Sequence, residues 1–320
     1  NLRLKTQEAG GFIVQTNNAD ALTINSSQNA SFKGDVNVEG RLTSDGTVRI
    51  WNAVDNGVDN TGVADAGAQL NTLIGLMASG DTLYIPAGNY NIATVVAIAS
   101  KGIKVVGAGI NSTTLTVNNT FGSFYCTPTA TSNPEMLDFS DMTFIAGQSS
   151  IDYAIHIDGG GNIASERNSP RYHFNDIEIN AESAGTDFTR GLWLFDCLHS
   201  TITRVHGKGY WTGTSGSITS GKLIELGGTG SPVETIITEC WAFFFDIGVG
   251  IYGTVEGVFI HHCNFVAVNL GVIWDTTTDK PLLCFTNNHV NAYNFGVLAI
   301  NLQQSVISGN LFYQREEDTD

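Results

Sequence analysis

Carboxylates, imidazoles and an arginine recur at matching places in short apolar segments between residues 139 and 312. The third residue of each segment gives a first column, which contains Asp141, Asp176, Arg204, Glu239, His262 and Asn287. The fifth residue gives a second column, which contains Thr143, Glu178, His206, Trp241, Asn264 and His289. An aromatic face beside carboxylates and imidazoles offers stacking, hydrogen-bond acceptors and a proton donor. These are the elements of a site that binds and cleaves sugars.

Two carboxylates of the first column could divide the work of hydrolysing a glycosidic bond. Asp176 and Glu239 lie two repeats apart, which predicts a backbone separation of about 9–10 Å, near the ~6.5–9.5 Å between the carboxyl groups of inverting glycosidases. We interpret Glu239 as the general acid, because Trp241 and Phe243 would partly desolvate it and favour its protonated form. Asp176 would activate water, and Arg204 between the two would keep Asp176 ionised and hold a substrate oxygen.

A further set of side chains is expected to contact the sugar. A third outward column follows a series of glycine-initiated strands, and it contains His156, Trp193, Gly250 and Tyr252. The predicted substrate-binding residues are Trp241, Trp193, Arg204, His206, Glu178, His262 and Tyr252. A Trp on a bare sheet face favours a sugar groove or a subunit contact, because it has a large apolar area to cover. The alternatives are a solvated face, a site between subunits, and a site on the turns of Asp246, Glu256 and Asp275.

Composition excludes several other classes of function. The net charge of −16, from 15 basic and 31 acidic residues, disfavours nucleic acid and anionic lipid as partners. A hydrophobic content of 42% argues against disorder, and no run approaches the ~18 apolar residues of a membrane span. Without a metal-binding motif or a phosphate-binding loop we expect no metal and no cofactor. Among the Lys and Arg residues after residue 50, only Arg204 lies in an outward column, so lyase chemistry on an anionic chain is poorly supported.

The elements that must position these columns are the turns of a solenoid. The fourth residues of the segments are 35, 28, 35, 23, 25 and 22 positions apart, and they are Met142, Ile177, Val205, Cys240, Cys263, Asn288 and Asn310. A second series, Gly248, Gly271 and Gly296, repeats in step with the first. The intervals of 22–25 residues are minimal turns of a parallel β-helix, and the longer intervals are turns that contain inserted loops. Because side chains alternate along a strand, the fourth residues should form an inward ladder that ends in stacked asparagines. The five cysteines lack metal-ligand spacing and are interpreted as reduced, mostly buried thiols.

Two segments precede the repeats. Leu70, Leu73, Ile74 and Met77 have helical spacing, and Asp65 stands where an N-cap belongs, which predicts a helix over 65–77. Residues 1–50 contain short strand-like runs at 12–14, 22–24, 36–38 and 41–43. No such run could bury a core alone. The segment therefore packs against partner chains or forms a small β cap on the next domain.

Two stretches resemble known proteins. Residues 52–109 contain an Asp-rich turn, a short helix, a strand with Pro86-Ala-Gly88-Asn-Tyr90 and a strand ending at Gly107-Ala-Gly109. This order resembles the entry cap of pectate-lyase-like right-handed parallel β-helices, and residues 32–43 resemble repeats in the shafts of phage tail fibres. Nearly the full chain, and above all residues 52–109 and 233–312, resembles a bacteriophage tailspike or tail-fibre protein.

The resemblance implies an all-β fold: a right-handed parallel β-helix (solenoid) with an N-terminal capping helix and a short β-rich shaft or neck. The implied domains are a trimeric shaft or neck over 1–50, a capping region over 51–110 and a β-helix body over 111–320. We expect the native chain to continue beyond Asp320, because no C-terminal cap is evident.

The resemblance also implies a function. It implies a homotrimer on the virion tail that acts outside the cell after assembly in the host cytoplasm. Such a protein recognises bacterial surface polysaccharide (capsule, O-antigen or exopolysaccharide), commonly cleaves it, and attaches to other tail or baseplate proteins through an N-terminal part. Catalytic acids differ in position between tailspikes. The assignment of Asp176 and Glu239 as the catalytic pair therefore comes from the residues of this sequence and not from the resemblance. The alternatives to a depolymerase are a receptor-binding fibre without activity and a cellular pectate-lyase-like lyase or hydrolase.

Overall fold

The computed structural model describes residues 2–6, 12–16, 19–24 and 30–32, and then 49–128, 136–160, 171–181, 183, 185–210 and 220–315. The chain divides into two compact units, residues 1–47 and 48–320. The first unit contains an antiparallel sheet of β1 (Leu2–Thr6), β2 (Phe12–Thr16), β3 (Ala19–Ile24) and β4 (Ala30–Phe32). Two of the strand-like runs lie in β2 and β3, and those at 36–38 and 41–43 lie outside the described residues.

The second unit is a parallel β-helix with three sheets, here named faces A, B and C, and one circuit through the three faces is a rung. Face A contains β5 (Ile50–Asn52), β7 (Thr82–Ile85), β10 (Lys104–Gly107), the first parts of β13 (Met136–Ala146), β15 (Arg171–Ala181) and β17 (Ser200–Lys208), and then β19 (Thr235–Thr238), β22 (Val258–His261), β24 (Leu283–Thr286) and β26 (Val306–Ser308).

Faces B and C complete each rung. Face B contains β6 (Thr61–Asp65), β8 (Gly88–Ile92), β11 (Thr113–Val117), the second parts of β13, β15 and β17, β20 (Trp241–Phe243), the first parts of β23 (Asn264–Pro281) and β25 (His289–Gln303), and β27 (Leu311–Gln314). Face C contains β9 (Val96–Ala99), β12 (Gly122–Thr127), β14 (Ile151–Asp158), β16 (Phe188–Phe195), β18 (Ser220–Gly227), β21 (Phe245–Gly253) and the second parts of β23 and β25. The predicted all-β parallel β-helix is therefore confirmed.

The β-helix begins about one rung earlier than the repeat predicts. β5 pairs in parallel with β7, and β6 pairs with β8, so the first rung starts at residue 50 instead of near residue 80. The indole of Trp51 is buried there and donates a hydrogen bond to Asp81 at 2.9 Å. The three-residue strand β5 is too short to show a period-2 pattern, which is why the sequence alone did not mark it.

The predicted capping helix is present as α1 (Ala66–Leu76). The Asp65 carboxylate accepts hydrogen bonds from the backbone N–H groups of Gly67 and Ala68, as an N-cap does. The helix buries Leu70, Leu73 and Ile74 against the start of the solenoid. It covers core side chains that would otherwise meet water at this end.

The interior confirms the predicted inward ladder. Its members Met142, Ile177, Val205, Cys240, Cys263 and Asn288 are each at most 2% exposed. Asn288 donates to the amide oxygen of Asn310 at 3.1 Å, so the two carboxamides form the expected ladder. The cysteines are free thiols, of which Cys284 is half-buried and the other four are buried. In the part of the chain that the structure describes, no helix is long and apolar enough to cross a membrane.

The second repeat series is also in register. A side chain on Gly248 would meet the backbone oxygen of Gly271 at 2.6 Å, and one on Gly271 would meet that of Gly296 at 2.4 Å. These three positions therefore stack on successive rungs of face C. The backbone of the next rung leaves no room for a Cβ at Gly248 and Gly271, and the ring of Phe312 leaves none at Gly296.

Candidate functional site

The first predicted column forms the corner between faces A and B. All six of its members have a left-handed backbone, with φ between +49° and +62°, and Gly309 continues the series at +66°. One left-handed residue is enough to turn the chain from a strand of one face into a strand of the next. Glu239, His262 and Asn287 are exposed, and the other non-glycine members are half-buried. We name this column the corner ridge; its members are Asp141, Asp176, Arg204, Glu239, His262, Asn287 and Gly309.

Arg204 lies between the two carboxylates that were predicted to act on the glycosidic bond. Its Nε donates to Asp176 Oδ1 at 2.7 Å and its Nη2 donates to Asp176 Oδ2 at 2.8 Å. Its Nη1 lies 3.6 Å from Glu239 Oε2. The hydrogen bonds from Arg204 hold the pKa of Asp176 below its usual value, and a further hydrogen bond from Asn175 acts in the same direction. Asp176 is thereby kept as a carboxylate.

Glu239 does not have the desolvated environment that the sequence suggested. Its side chain is 57% exposed on the corner ridge. Trp241 and Phe243, both in strand β20 of face B, stack on each other with ring centroids 5.4 Å apart and planes at 12°. The expectation that these rings desolvate Glu239 is wrong, because the corner position places the carboxylate at the exposed edge of the β-helix.

The second predicted column runs along face B beside the corner ridge. The backbone register places Glu178, His206 and Trp241 on successive rungs. The indole of Trp241 meets the imidazole of His206 edge-on, with centroids 6.2 Å apart. Thr143 was predicted to point outward into solvent, but its side chain is buried. Its hydroxyl accepts a hydrogen bond from the backbone N–H of Asn111.

Seven of the nine predicted site residues therefore lie on neighbouring positions of one surface. The four on the corner ridge and the three on face B are Asp176, Arg204, Glu239, His262, Glu178, His206 and Trp241. The surface combines a carboxylate held ionised, an exposed carboxylate, a guanidinium, imidazoles and a pair of stacked aromatic rings. It can hold a hydroxyl-rich ring by stacking and hydrogen bonding.

Trp193 and Tyr252 lie elsewhere, on face C. The column that contains Trp193 continues through Glu225 before it reaches Gly250. Tyr252 belongs to a neighbouring column, where it pairs with Asp275. The predicted third column is therefore wrong in one member: it contains His156, Trp193, Glu225 and Gly250, and Tyr252 is not part of it. Neither side chain is on the sheet that contains Trp241, so the expected contribution of Trp193 to the same groove is not supported.

The side chains around Trp193 form a closed group, which we name the face C cluster; its members are Asp152, His156, Arg190, Trp193, Lys222, Glu225 and Tyr252. Glu225 is 8% exposed and pairs with Arg190 Nε at 3.0 Å and with Lys222 Nζ at 2.8 Å. The ring of His156 stacks on Trp193 at 3.6 Å, and the guanidinium of Arg190 lies 4.1 Å from the centre of the same indole.

The inner side of the face C cluster is strongly desolvated. Burial lowers the pKa of His156 to about 4, and the positive charge of Arg190 adds to this effect. His156 Nε2 is buried and has no hydrogen-bond partner among the described residues. Sequence reasoning missed Asp152, Arg190, Lys222 and Glu225. A signal was available: Arg190 precedes Trp193 by three residues, and Lys222 precedes Glu225 by the same interval.

No group of three or more potential metal ligands was found among the residues that the structure describes.

Comparison with known proteins gives one match to a family model. Residues 50–153 match the family described as Rhamnogalacturonase A/epimerase, pectate lyase-like. No curated protein matches the chain.

Three solved structures illustrate the range of structural neighbours. Geobacillus virus E2 ORF18 is 15% identical with a TM-score of 0.35, and the match covers 82% of this chain and 60% of that chain. The PL6 family alginate lyase AlyGC is 10% identical with a TM-score of 0.49, covering 97% and 47%. The tailspike protein of Acinetobacter baumannii phage AM24 is 13% identical with a TM-score of 0.35, covering 98% and 62%.

The chain thus spans about half to three fifths of each of these three structures. The family match includes residues 52–109, the stretch that resembles the entry cap of pectate-lyase-like β-helices. Residues 50–153 are therefore similar to the pectate-lyase-like family.

Proposed function

We propose that the protein is a phage tailspike or tail fibre that binds bacterial surface polysaccharide and cleaves it by hydrolysis. The observation that carries this proposal is the array Asp176–Arg204–Glu239 on the corner ridge, directly beside the stacked rings of Trp241 and Phe243. Two carboxylates about two rungs apart, beside an aromatic platform, suit hydrolysis of a neutral glycoside with inversion.

The roles of the side chains follow from their surroundings. Asp176 is kept ionised by Arg204 and is assigned as the base that activates water. Glu239 is assigned as the acid that protonates the leaving oxygen, and its proton comes from solvent since it is exposed. Trp241 stacks on a sugar ring. Glu178, His206 and His262 hydrogen-bond its hydroxyl groups.

The proposal includes an assembly. The protein is a homotrimer on the virion tail, and it is joined to other tail or baseplate proteins by an N-terminal part. Light scattering at micromolar concentration should give three times the 34.2 kDa of one chain. A monomer under these conditions would contradict the fibre assignment and favour a cellular enzyme.

The activity is tested by reducing-end release from purified capsule, O-antigen and exopolysaccharide preparations. Asp176→Asn and Glu239→Gln should each lower turnover at least ~100-fold, the usual minimum for loss of acid–base catalysis, and should leave polysaccharide binding largely intact. Asp138→Asn is the matched control, because Asp138 lies on face A away from the corner ridge. Full activity in both ridge variants would show that the chemistry lies elsewhere.

A second function, receptor binding without cleavage, is favoured by one observation. Glu239 is 57% exposed and lies beside a guanidinium, so its carboxylate stays in contact with water. In that case the wild-type protein binds polysaccharide and releases no reducing ends. The same two assays separate the two functions.

A further inference from the structure

The corner ridge continues beyond Glu239 into an open cleft of about 350 Å³. We name it the ridge cleft; it is lined by His262, Cys263, Asn264, Asn287, Asn288, His289, Gly309 and Leu311. It begins one rung past Glu239, because Asn264 pairs with Trp241 and His262 follows Glu239 along the ridge. Its volume is at the lower end of the range for sites that hold small molecules.

The floor of the ridge cleft is rigid. Asn288 accepts a hydrogen bond from the backbone N–H of Cys263 at 2.8 Å and donates to the carbonyl of Ile260 at 3.0 Å. Gly309 leaves room for the Asn287 side chain in the cleft wall, since a Cβ at Gly309 would come within 2.4 Å of Asn287 Oδ1. The cleft is thus built into the rungs and does not depend on a loop.

The wall of the ridge cleft presents polar groups that are free to bind. His262, Asn264 and Asn287 are exposed, and within the described parts of the chain their side chains have no hydrogen-bond partner. Imidazoles and carboxamides each provide both a donor and an acceptor, which is the pattern that a sugar hydroxyl also has. Leu311, which is 62% exposed, adds an apolar patch at one side.

The charge of the lining points to the class of sugar. Among the residues that the structure describes, no carboxylate, guanidinium or ammonium group lines the ridge cleft. The chain as a whole has a net charge of −16 with its histidines neutral, so a carboxylated sugar would meet an unfavourable field with no Lys or Arg among the described lining residues to offset it. A hydroxyl-rich, uncharged sugar meets neither problem.

We propose that the ridge cleft is a subsite for an uncharged sugar residue of the same polysaccharide chain that reaches Asp176 and Glu239. The proposal rests on the proposed function for the path of that chain. Rungs are about 4.8 Å apart, so a polysaccharide that lies along the corner ridge passes from Trp241 directly into the cleft.

The test is binding to an array of immobilised capsule, O-antigen and exopolysaccharide fragments, sorted into uncharged and carboxylate-bearing sets. Wild type should bind members of the uncharged set. The double variant Asn264→Ala/His289→Ala should lose at least ~10-fold in apparent affinity, which corresponds to about 1.4 kcal/mol. His173→Ala is the matched control, because His173 lies on face A. An unchanged melting temperature for each variant shows that it is folded.

The outcomes separate this proposal from the proposed function. Binding only to carboxylate-bearing fragments, binding to none, or equal binding by wild type and the double variant would each overturn the cleft assignment. Loss of binding in the double variant together with full hydrolysis by Asp176→Asn and Glu239→Gln would keep the cleft and refute the catalytic pair. A single bulky variant, Asn264→Leu, should reproduce the loss by narrowing the cleft.

Discussion

The corner ridge and the face C cluster contain the same kinds of side chain in opposite states. On the ridge, Arg204 is 41% exposed and lies 3.6 Å from Glu239, which is 57% exposed. In the face C cluster, Arg190 is 22% exposed and lies 3.0 Å from Glu225, whose side chain is 10% exposed. Each region also contains a Trp and a His. One arrangement is open to a ligand and the other is closed on itself.

The difference follows from where each residue stands on the rung. Side chains in the middle of a parallel sheet have neighbours about 4.8 Å away on both sides, so long side chains stack and cover one another. A left-handed corner residue stands at the edge between two sheets and has neighbours mainly along the ridge. The same amino acids therefore stabilise the fold on face C and remain available for binding at the corner ridge.

The largest expected effect comes from removing one arginine from each region. Arg190→Ala leaves Glu225 buried with Lys222 as its remaining cation, and should lower the free energy of unfolding by about 3 kcal/mol. Arg204→Ala removes partly solvated ion pairs with Asp176 and Glu239, so it should cost no more than about 1 kcal/mol of stability while reducing hydrolysis. Urea denaturation of both variants measures the contrast. Equal losses of stability would refute the distinction between open and closed regions.

The second effect concerns acid stability. The folded protein holds His156 with a pKa of about 4, below the ordinary value of 6.5, so between these pH values the unfolded chain binds a proton that the folded chain does not. Stability should therefore fall as the pH decreases from 6.5 to 4, by up to about 3 kcal/mol. His156→Phe keeps the stack on Trp193 and should remove this loss. Melting temperatures of both proteins across pH 4–7 check the prediction, and identical profiles would contradict it.

The smallest effect is expected at the backbone of the corner. Glu239 has φ +56°, where glycine avoids the steric cost of a side chain. Glu239→Gly should therefore raise the free energy of unfolding by about 1 kcal/mol and abolish hydrolysis. Glu178→Gly is the contrasting control, because Glu178 lies within strand β15 and glycine there should destabilise. Calorimetry that shows both variants destabilised would mean that the left-handed corner is not strained.

The fold could be predicted because its repeats are local and regular. Val205, Cys240 and Cys263 mark successive turns at intervals that can be aligned in the sequence, and their burial then follows from the alternation of side chains along a strand. The first rung was missed because β5 has only three residues. The left-handed corner at Asp176 and Arg204 was not foreseen, since polar strand residues and polar corner residues look alike in sequence.

The site was harder to predict, because it depends on register between distant strands. Trp193 and Trp241 both looked exposed, yet only the assembled rungs show that they stand on different faces. Glu225 and Arg190 are 35 residues apart, and their pairing requires β16 and β18 to align across a long connection. The regular position of polar residues within each repeat predicted the residues of the corner ridge. The face C cluster could not be predicted in this way, because its members are separated by insertions of irregular length.

The most direct test of the central claim is a crystal structure of Glu239→Gln with a bound oligosaccharide from a polysaccharide that the protein recognises. Electron density is expected along the corner ridge, with one sugar ring on Trp241, a glycosidic oxygen next to residue 239 and the next sugar in the ridge cleft. Density confined to face C, over Trp193 and Tyr252, would contradict it.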